Sequence, residues 1–337
     1  MELPPVQDRF SEGLCVASED DAPAASWAEA VESEPLVSVI LVVRDRAWCV
    51  GRAIESVLAQ SYRRFELIVV DDGSTDGTRE AVKGFGDRLR FFPRGPEGPY
   101  EARNFALKQA FGELIAFIDS DDSWRPGKLA AQVPLMRRPE VGLVFGDTAH
   151  LTEPRDGAPL TGRTSFAVSP PSRGRAAHRL AWSNFVPTCT VLVRRSCLEE
   201  IGGFSVSSPI SADYPAWFRI ALDHEIDHVD EIVADYTVHP RGISFDLGRS
   251  LAARIGLFAA ELDRAPDDRA KALIRRLLFN LSLHLGLAVV RGRAGSVHRP
   301  ARLAWRTATG AAGPRAFAWT GAFALRQLKL RTGLLAS

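Results

Sequence analysis

The chain has 337 residues, enough for one large or two modest domains around a sizeable core. Hydrophobic residues make up 46% and charged residues 25%, an ordinary globular balance, and a net charge of +1 gives no global electrostatic argument for nucleic acid, so no nucleic-acid partner is expected. Cys15, Cys49, Cys189 and Cys197 are scattered without metal-ligand spacing or a disulfide framework, and the N-terminus lacks a signal-peptide pattern, so a reducing cytoplasm is the expected compartment.

Residues 1–34 mix acidic residues, Ser, Ala and Pro without periodicity and are expected to form a flexible acidic leader. Order is expected from Val37-Ser-Val-Ile-Leu-Val-Val43, an apolar, β-branched run that suits a strand buried on both faces. Residues 50–60 place Ala53, Ile54, Val57 and Leu58 at helical spacing. Residues 66–70 form a second buried strand that runs into Asp71-Asp72-Gly73-Ser74-Thr75-Asp76-Gly77. A short helix at 79–85, a strand at 89–92 and a helix at 101–111 follow, then a fourth strand at 114–118 ending in Asp119-Ser120-Asp121-Asp122. This β-α-β-α-β-α-β alternation predicts an α/β fold with a doubly wound, mostly parallel sheet. Beyond Trp124 the expected elements are a helix at 129–136, a strand at 141–145, a long mobile loop at 152–175, a strand at 188–193, a helix at 196–201 stopped by Gly202-Gly203, a helix at 214–222 and a last strand within 226–238. From Leu251 onward the chain reads as helical.

A buried strand cannot hold several ionised carboxylates in its middle, so both acidic clusters belong just past strand ends. In open α/β sheets that edge is the ligand crevice. Closely spaced carboxylates there suit a hard divalent cation, Mn²⁺ or Mg²⁺, often shared with substrate phosphates. The other cluster can accept hydrogen bonds from a base or a ribose. Between them, Gly98-Pro-Tyr-Glu-Ala-Arg103-Asn104 opens a helix whose N-terminus favours an anion. The plainer alternative is a solvated acidic turn.

Eight segments in order carry a resemblance: Val37-Ser-Val-Ile40, Val69-Val-Asp-Asp-Gly-Ser-Thr-Asp-Gly-Thr78, Gly98-x-x-x-Ala-Arg-Asn104, Ile118-Asp-Ser-Asp-Asp-x-Trp124, Lys128-Leu129, Gly202-Gly-Phe204, Asp213-x-x-x-Trp-x-Arg219 and Tyr236-x-x-His-Pro240. Together they resemble an inverting family-2 glycosyltransferase of GT-A fold over residues 36–245. The resemblance implies a nucleotide-sugar donor and a saccharide or lipid-linked acceptor. It implies that Asp71, Asp72 and Arg103 lie on the nucleotide side, that Asp119 and Asp121 form the Asp-x-Asp pair with Asp122 close by, that Asp213 is the general base, and that His239 sits near the diphosphate or metal. Two positions depart from the family pattern. Arg44-Asp45 replaces the usual Tyr-Asn, so Arg44 would stack on the base through its guanidinium plane. Ala212-Asp213 replaces a Glu-Asp pair, which removes one acceptor-side carboxylate.

Competing assignments are a polyprenyl-phosphate sugar synthase and a catalytically weak sugar-nucleotide-binding module. Some residues also have plainer roles: Asp76 as a helix cap, Trp124 and Trp217 as core, Arg219 as an ion-pair partner, and His150, His178, His224 and His228 as structural or surface residues. The expected domains are the leader 1–34, a GT-A domain at 35–248 and a basic helical extension at 249–337. No Asp or Glu follows Asp268. Arg302, Arg306, Arg315 and Arg326, interleaved with Trp305, Phe317, Trp319 and Phe323, suggest an anionic membrane surface as partner and a peripheral location at the inner face of the membrane. The alternative is a helical cap on the catalytic domain.

Overall fold

Val37–Val43 (β1) sits at the centre of the parallel half of the sheet, because its continuous apolar run can be covered on both faces. In the computed structural model, described over residues 34–152, 163–239 and 246–290, it is followed by Val50–Leu58 (α1), Phe65–Asp72 (β2), Thr78–Lys83 (α2) and Arg90–Arg94 (β3). Pro99–Gln109 (α3) and Leu114–Asp119 (β4) complete this half. β1 pairs in parallel with β2 on one side and β4 on the other, and β3 joins β2, also in parallel. The expected leader 1–34 lies outside the described residues but for Glu34, and the expected loop at 152–175 does so over 153–162.

The second half is mixed. It comprises Ser123–Trp124 (β5), Lys128–Gln132 (α4), Val141–Thr152 (β6), Leu192–Arg194 (β7), Arg195–Glu200 (α5), Asp213–Asp223 (α6) and Glu225–Val238 (β8). The sheet order is β3-β2-β1-β4-β7-β6-β8-β5, with β7 antiparallel to both β4 and β6, β8 parallel to β6, and β5 antiparallel to β8. Some boundaries differ from expectation for local reasons. Pro99 starts α3 two residues early, since proline suits the first helical turn. Pro134 falls in a 3₁₀ turn, Val133–Arg137, which ends α4 sooner than the apolar pattern suggests. The strand expected at 188–193 is a 3₁₀ turn, Thr188–Thr190, followed by the three residues of β7.

Side chains alternate along each strand and divide the core into two layers. Ile68, Val70, Ile115 and Phe117 face one layer with α3 and α6, whereas Leu67, Val69, Ala116 and Ile118 face the other with α1. Trp217 and Phe218 of α6 are buried in the first layer. Leu247–Arg264 (α7) and Asp268–Val290 (α8) pack on that same layer through Leu251, Ile255, Phe258, Ile274, Leu278 and Leu285. The apolar core thus continues past residue 248 into α7 and α8. Residues 291–337, with the arginines and aromatics expected at a membrane, lie outside the described residues. Among the described residues no helix is long and apolar enough to cross a membrane.

Candidate active site

The alternation that divides the core also separates the carboxylates. Asp71 continues the Leu67–Val69 side of β2 and is fully buried; its carboxylate accepts from the Arg79 guanidinium at 2.6 Å and from the Ser74 amide at 3.2 and 3.3 Å. It shapes the turn after β2 through these bonds. Asp72 points to the other layer, where one oxygen accepts from the amides of Glu97 and Gly98 at 2.8 and 2.9 Å. That bond anchors the entry to α3. Gly98 has φ +104°, a conformation that favours glycine.

Asp119 lies on the same side of its strand as Phe117 and meets Arg103 of α3, which donates to it at 2.6 Å. Arg103 also lies over the Tyr100 ring, 5.0 Å from its centroid. Asp213, the first residue of α6, receives hydrogen bonds from the Tyr100 hydroxyl at 3.1 Å and from the Thr188 hydroxyl. Asp72, Arg103, Asp119 and Asp213 are therefore linked through α3 and its entry. Burial, helped by Asp121 and Asp213, holds the Asp119 carboxyl above its usual range against the opposing pull of Arg103.

Asp121 accepts from, or shares a proton with, His239 at 2.8 Å, and the Arg46 guanidinium lies 3.8 Å from the same oxygen. Arg52 of α1 donates to the Asp121 carbonyl at 2.9 Å and to the Thr237 hydroxyl at 3.3 Å, tying the acidic turn to the end of β8. Asp122, expected close by the Asp-x-Asp pair, is set into the fold beside the end of β8. It is 1% exposed, and one oxygen accepts from the Thr237 amide at 2.8 Å. Burial and the charges of Asp119 and Asp121 push its carboxyl well above the ordinary value. The Thr237 bond tethers the acidic turn to β8.

A divalent cation fits part of this set. Asp121 and His239 supply a carboxylate and an imidazole side by side, and His239 Nδ1 is buried without a hydrogen-bond partner. Among the described residues no three of Asp119, Asp121, Asp122 and His239 bring ligand atoms within 4.8 Å of one another. The protein thus offers two preformed ligands, and Asp119 is close enough to feel the Asp121 charge. That is the usual pattern where substrate phosphates complete the shell.

Arg44 is half-exposed beside Asp45, which adopts φ 51° and accepts from the Thr75 amide at 2.8 Å. Asp76 braces the same region, accepting from the Thr78 amide at 2.9 Å and the Ala47 amide at 3.1 Å; the cap position itself is Gly77. Trp124 and Trp217 are core residues, and Arg219 pairs with Glu261 at 3.6 Å. Arg46, Arg52, Tyr100 and Thr188 escaped the sequence reading. Tyr100 and Arg46 stand inside or beside recognised segments; Arg52 and Thr188 carry no local signal.

A family model described as "Glycosyl transferase family 2" matches residues 38–202, which include Asp72, Arg103, Asp119 and Asp121 and end before Asp213. An Escherichia coli protein, UDP-Glc:alpha-D-GlcNAc-diphosphoundecaprenol beta-1,3-glucosyltransferase WfgD, is 31% identical over 202 residues, covering 58% of this chain and 73% of that protein. An uncharacterized glycosyltransferase of Rickettsia felis is 30% identical over 203 residues, covering 59% of this chain but 33% of its own length, so the chain spans about a third of that relative. Among solved structures, S. aureus TarS 1-349 superposes with a TM-score of 0.57 at 20% identity, over 82% of this chain and 79% of that one. The mannosyltransferase PcManGT of Pyrobaculum calidifontis, in complex with GDP-Man and Mn²⁺, gives 0.58 at 23% identity, over 90% and 83%. These structural likenesses are of fold, and the mixed sheet with its parallel half is the GT-A architecture. With most of WfgD spanned at 31% identity and the family model laid over the strands that carry the acidic clusters, the chain belongs to glycosyl transferase family 2.

Proposed function

We propose that the chain transfers a sugar from a nucleotide-sugar donor to a hydroxyl of a saccharide or lipid-linked acceptor, inverting the anomeric centre in a single displacement. The observation that carries this reading is the setting of Asp213. Its two oxygens are oriented by the Tyr100 and Thr188 hydroxyls, and its carboxylate is close enough to Asp119 and Arg103 to influence both electrostatically. A carboxylate held beside the donor-side residues can take the proton of an acceptor hydroxyl as that oxygen attacks C1. Attack from the face opposite the leaving group inverts C1, and the C1–O bond to the nucleoside diphosphate breaks.

Arg103 and the N-terminus of α3 would face the negative charge of the departing diphosphate. Asp72, through the loop it anchors, would shape the nucleoside pocket, and exposed Arg44 would stack on the base. When bound at Asp121 and His239, with Asp119 beside them, Mn²⁺ or Mg²⁺ would supply further charge neutralisation at the diphosphate. WfgD is named for a lipid-diphosphate-linked acceptor, which supports an acceptor of that class and a role in cell-envelope polysaccharide assembly at the inner face of the membrane.

The test is donor turnover with a panel of nucleotide sugars, with Mn²⁺ or with chelator. Asp213→Asn is expected to lower kcat by about 10²–10⁴, the usual worth of a general base, while leaving donor binding nearly unchanged. A variant turning over near the wild-type rate would move the base elsewhere. Equal nucleoside diphosphate affinity with Mn²⁺ and with chelator would remove the metal from the scheme.

A further inference from the structure

Far along the chain from the acidic clusters, three potential metal ligands converge. Cys197 and Glu200 stand one turn apart on α5, and His224 directly follows α6. One ligand atom from each lies within 4.8 Å of the other two, and they are the one such trio of His, Cys, Asp or Glu residues among the described residues. His224 Nε2 and Glu200 Oε2 are 2.9 Å apart. The Cys197 thiol is fully buried behind them.

The backbone around the trio is cut to let these groups meet. Gly142 of β6 lies against both the imidazole and the thiol. A Cβ there would fall 2.7 Å from His224 Cβ, 3.0 Å from its Cγ and 3.1 Å from Cys197 Sγ. Any side chain at 142 would push His224 away from Cys197. On the outer side, Glu200, Asp223 and His224 border a cavity of about 180 Å³, ample for a water molecule.

We propose that Cys197, Glu200 and His224 form a zinc site, separate from the active-site cation, with water in the fourth position. Thiolate, imidazole and carboxylate are the three zinc ligand types, and bonds of about 2.0–2.3 Å bring tetrahedral ligand atoms to within roughly 4 Å of one another. The two side chains on α5 share one face because i and i+3 are neighbours on a helix. A thiol must lose its proton to ligate zinc, so binding releases that proton to solvent as the Zn–S bond forms. The ion ties α5 to the C-terminal end of α6. That helix carries Asp213 at its other end, so the site steadies the helix on which the proposed base is mounted.

The experiment titrates the full chain carrying Asp121→Asn with Co²⁺, a spectroscopic stand-in for zinc, and then with Zn²⁺. The expected result is one equivalent of Co²⁺ with a thiolate-to-cobalt charge-transfer band, displaced by Zn²⁺. Cys197→Ser should abolish the band. His224→Gln, at a partly exposed position, should weaken Zn²⁺ binding by at least the ~10–100-fold that outer-shell changes already cost. If Cys197→Ser fails to fold, His224→Gln decides the matter by circular dichroism and titration. No thiolate band in the folded protein, a band that survives Cys197→Ser, or unchanged affinity in His224→Gln would each overturn the site. Because the readout is metal binding in a chain already altered at Asp121, it is independent of whether the transferase reading holds.

Discussion

Lys128 is fully buried, donates to Gln132 Oε1 at 2.7 Å and lies 4.0 Å from the Trp124 ring centroid. Burial lowers its ammonium to about 7, against the cation-favouring face of the indole. The unfolded chain holds its proton up to about pH 10.5, so between about pH 7 and that value the unfolded state binds more protons than the folded one. The contribution of Lys128 to stability therefore rises with pH across that window and is at its lowest below it. Lys128→Met should remove the rise. Urea unfolding of both proteins at several pH values between about 7 and 10 checks this; parallel stability curves would show that Lys128 keeps its charge in the fold. The Gln132 amide donates in turn to the Thr190 carbonyl at 2.8 Å, so this network lies beneath the turn that carries Thr188.

At the scale of elements, α3 serves both halves of the sheet. Its entry is fixed by Asp72, and its middle is clasped to the loop after α5. Asn104 Nδ2 donates to the Phe204 carbonyl at 2.8 Å, and the Phe204 amide donates back to Asn104 Oδ1 at 2.9 Å. Gly203 makes this clasp possible. It has φ +77°, and a Cβ there would stand 2.6 Å from Asn104 Oδ1. Gly203→Ala should combine left-handed strain of about 1–3 kcal/mol with loss of the clasp. The expected outcome is a lower thermal midpoint together with weaker donor binding, because Arg103 precedes Asn104. Differential scanning calorimetry and nucleotide titration of the variant measure the two effects. A midpoint within error of wild type would show that the loop relaxes without cost.

At the scale of the whole molecule, the position of a truncation matters. α8 supplies Ile274, Leu277, Leu278, Leu281 and Leu285 to the core layer that buries Trp217. A chain cut near residue 268 would expose that layer, whereas a cut after Val290 leaves it covered. We expect the chain ending at 290 to bind nucleotide like the intact protein but to lose sedimentation with anionic vesicles. Residues 291–337 contain basic and aromatic residues and no acid, and each basic residue near an anionic surface contributes ~1 kcal/mol. Binding should weaken as salt rises. Intact protein that ignores anionic vesicles at low salt would end the membrane proposal.

Short-range pattern by itself determined the parallel half. The short apolar runs at 37–43, 66–70 and 114–118 suit buried strands, and parallel pairing then delivers Asp72 and Asp119 to one edge. The ordered segments around them carried the family. Pattern could not reveal β5, which is two residues long and held by its neighbour in the sheet, and it placed the strand at 188–193 where only the three residues of β7, Leu192–Arg194, pair. It did not distinguish Asp71 from Asp72 either, since that depends on which layer each face of β2 meets. Contacts between distant residues belong to the tertiary structure alone: His239 on Asp121, Tyr100 and Thr188 on Asp213, and His224 beside Cys197 and Glu200. The physical reason is that local composition reports burial and period, whereas the register between remote segments is set by how the core layers pack.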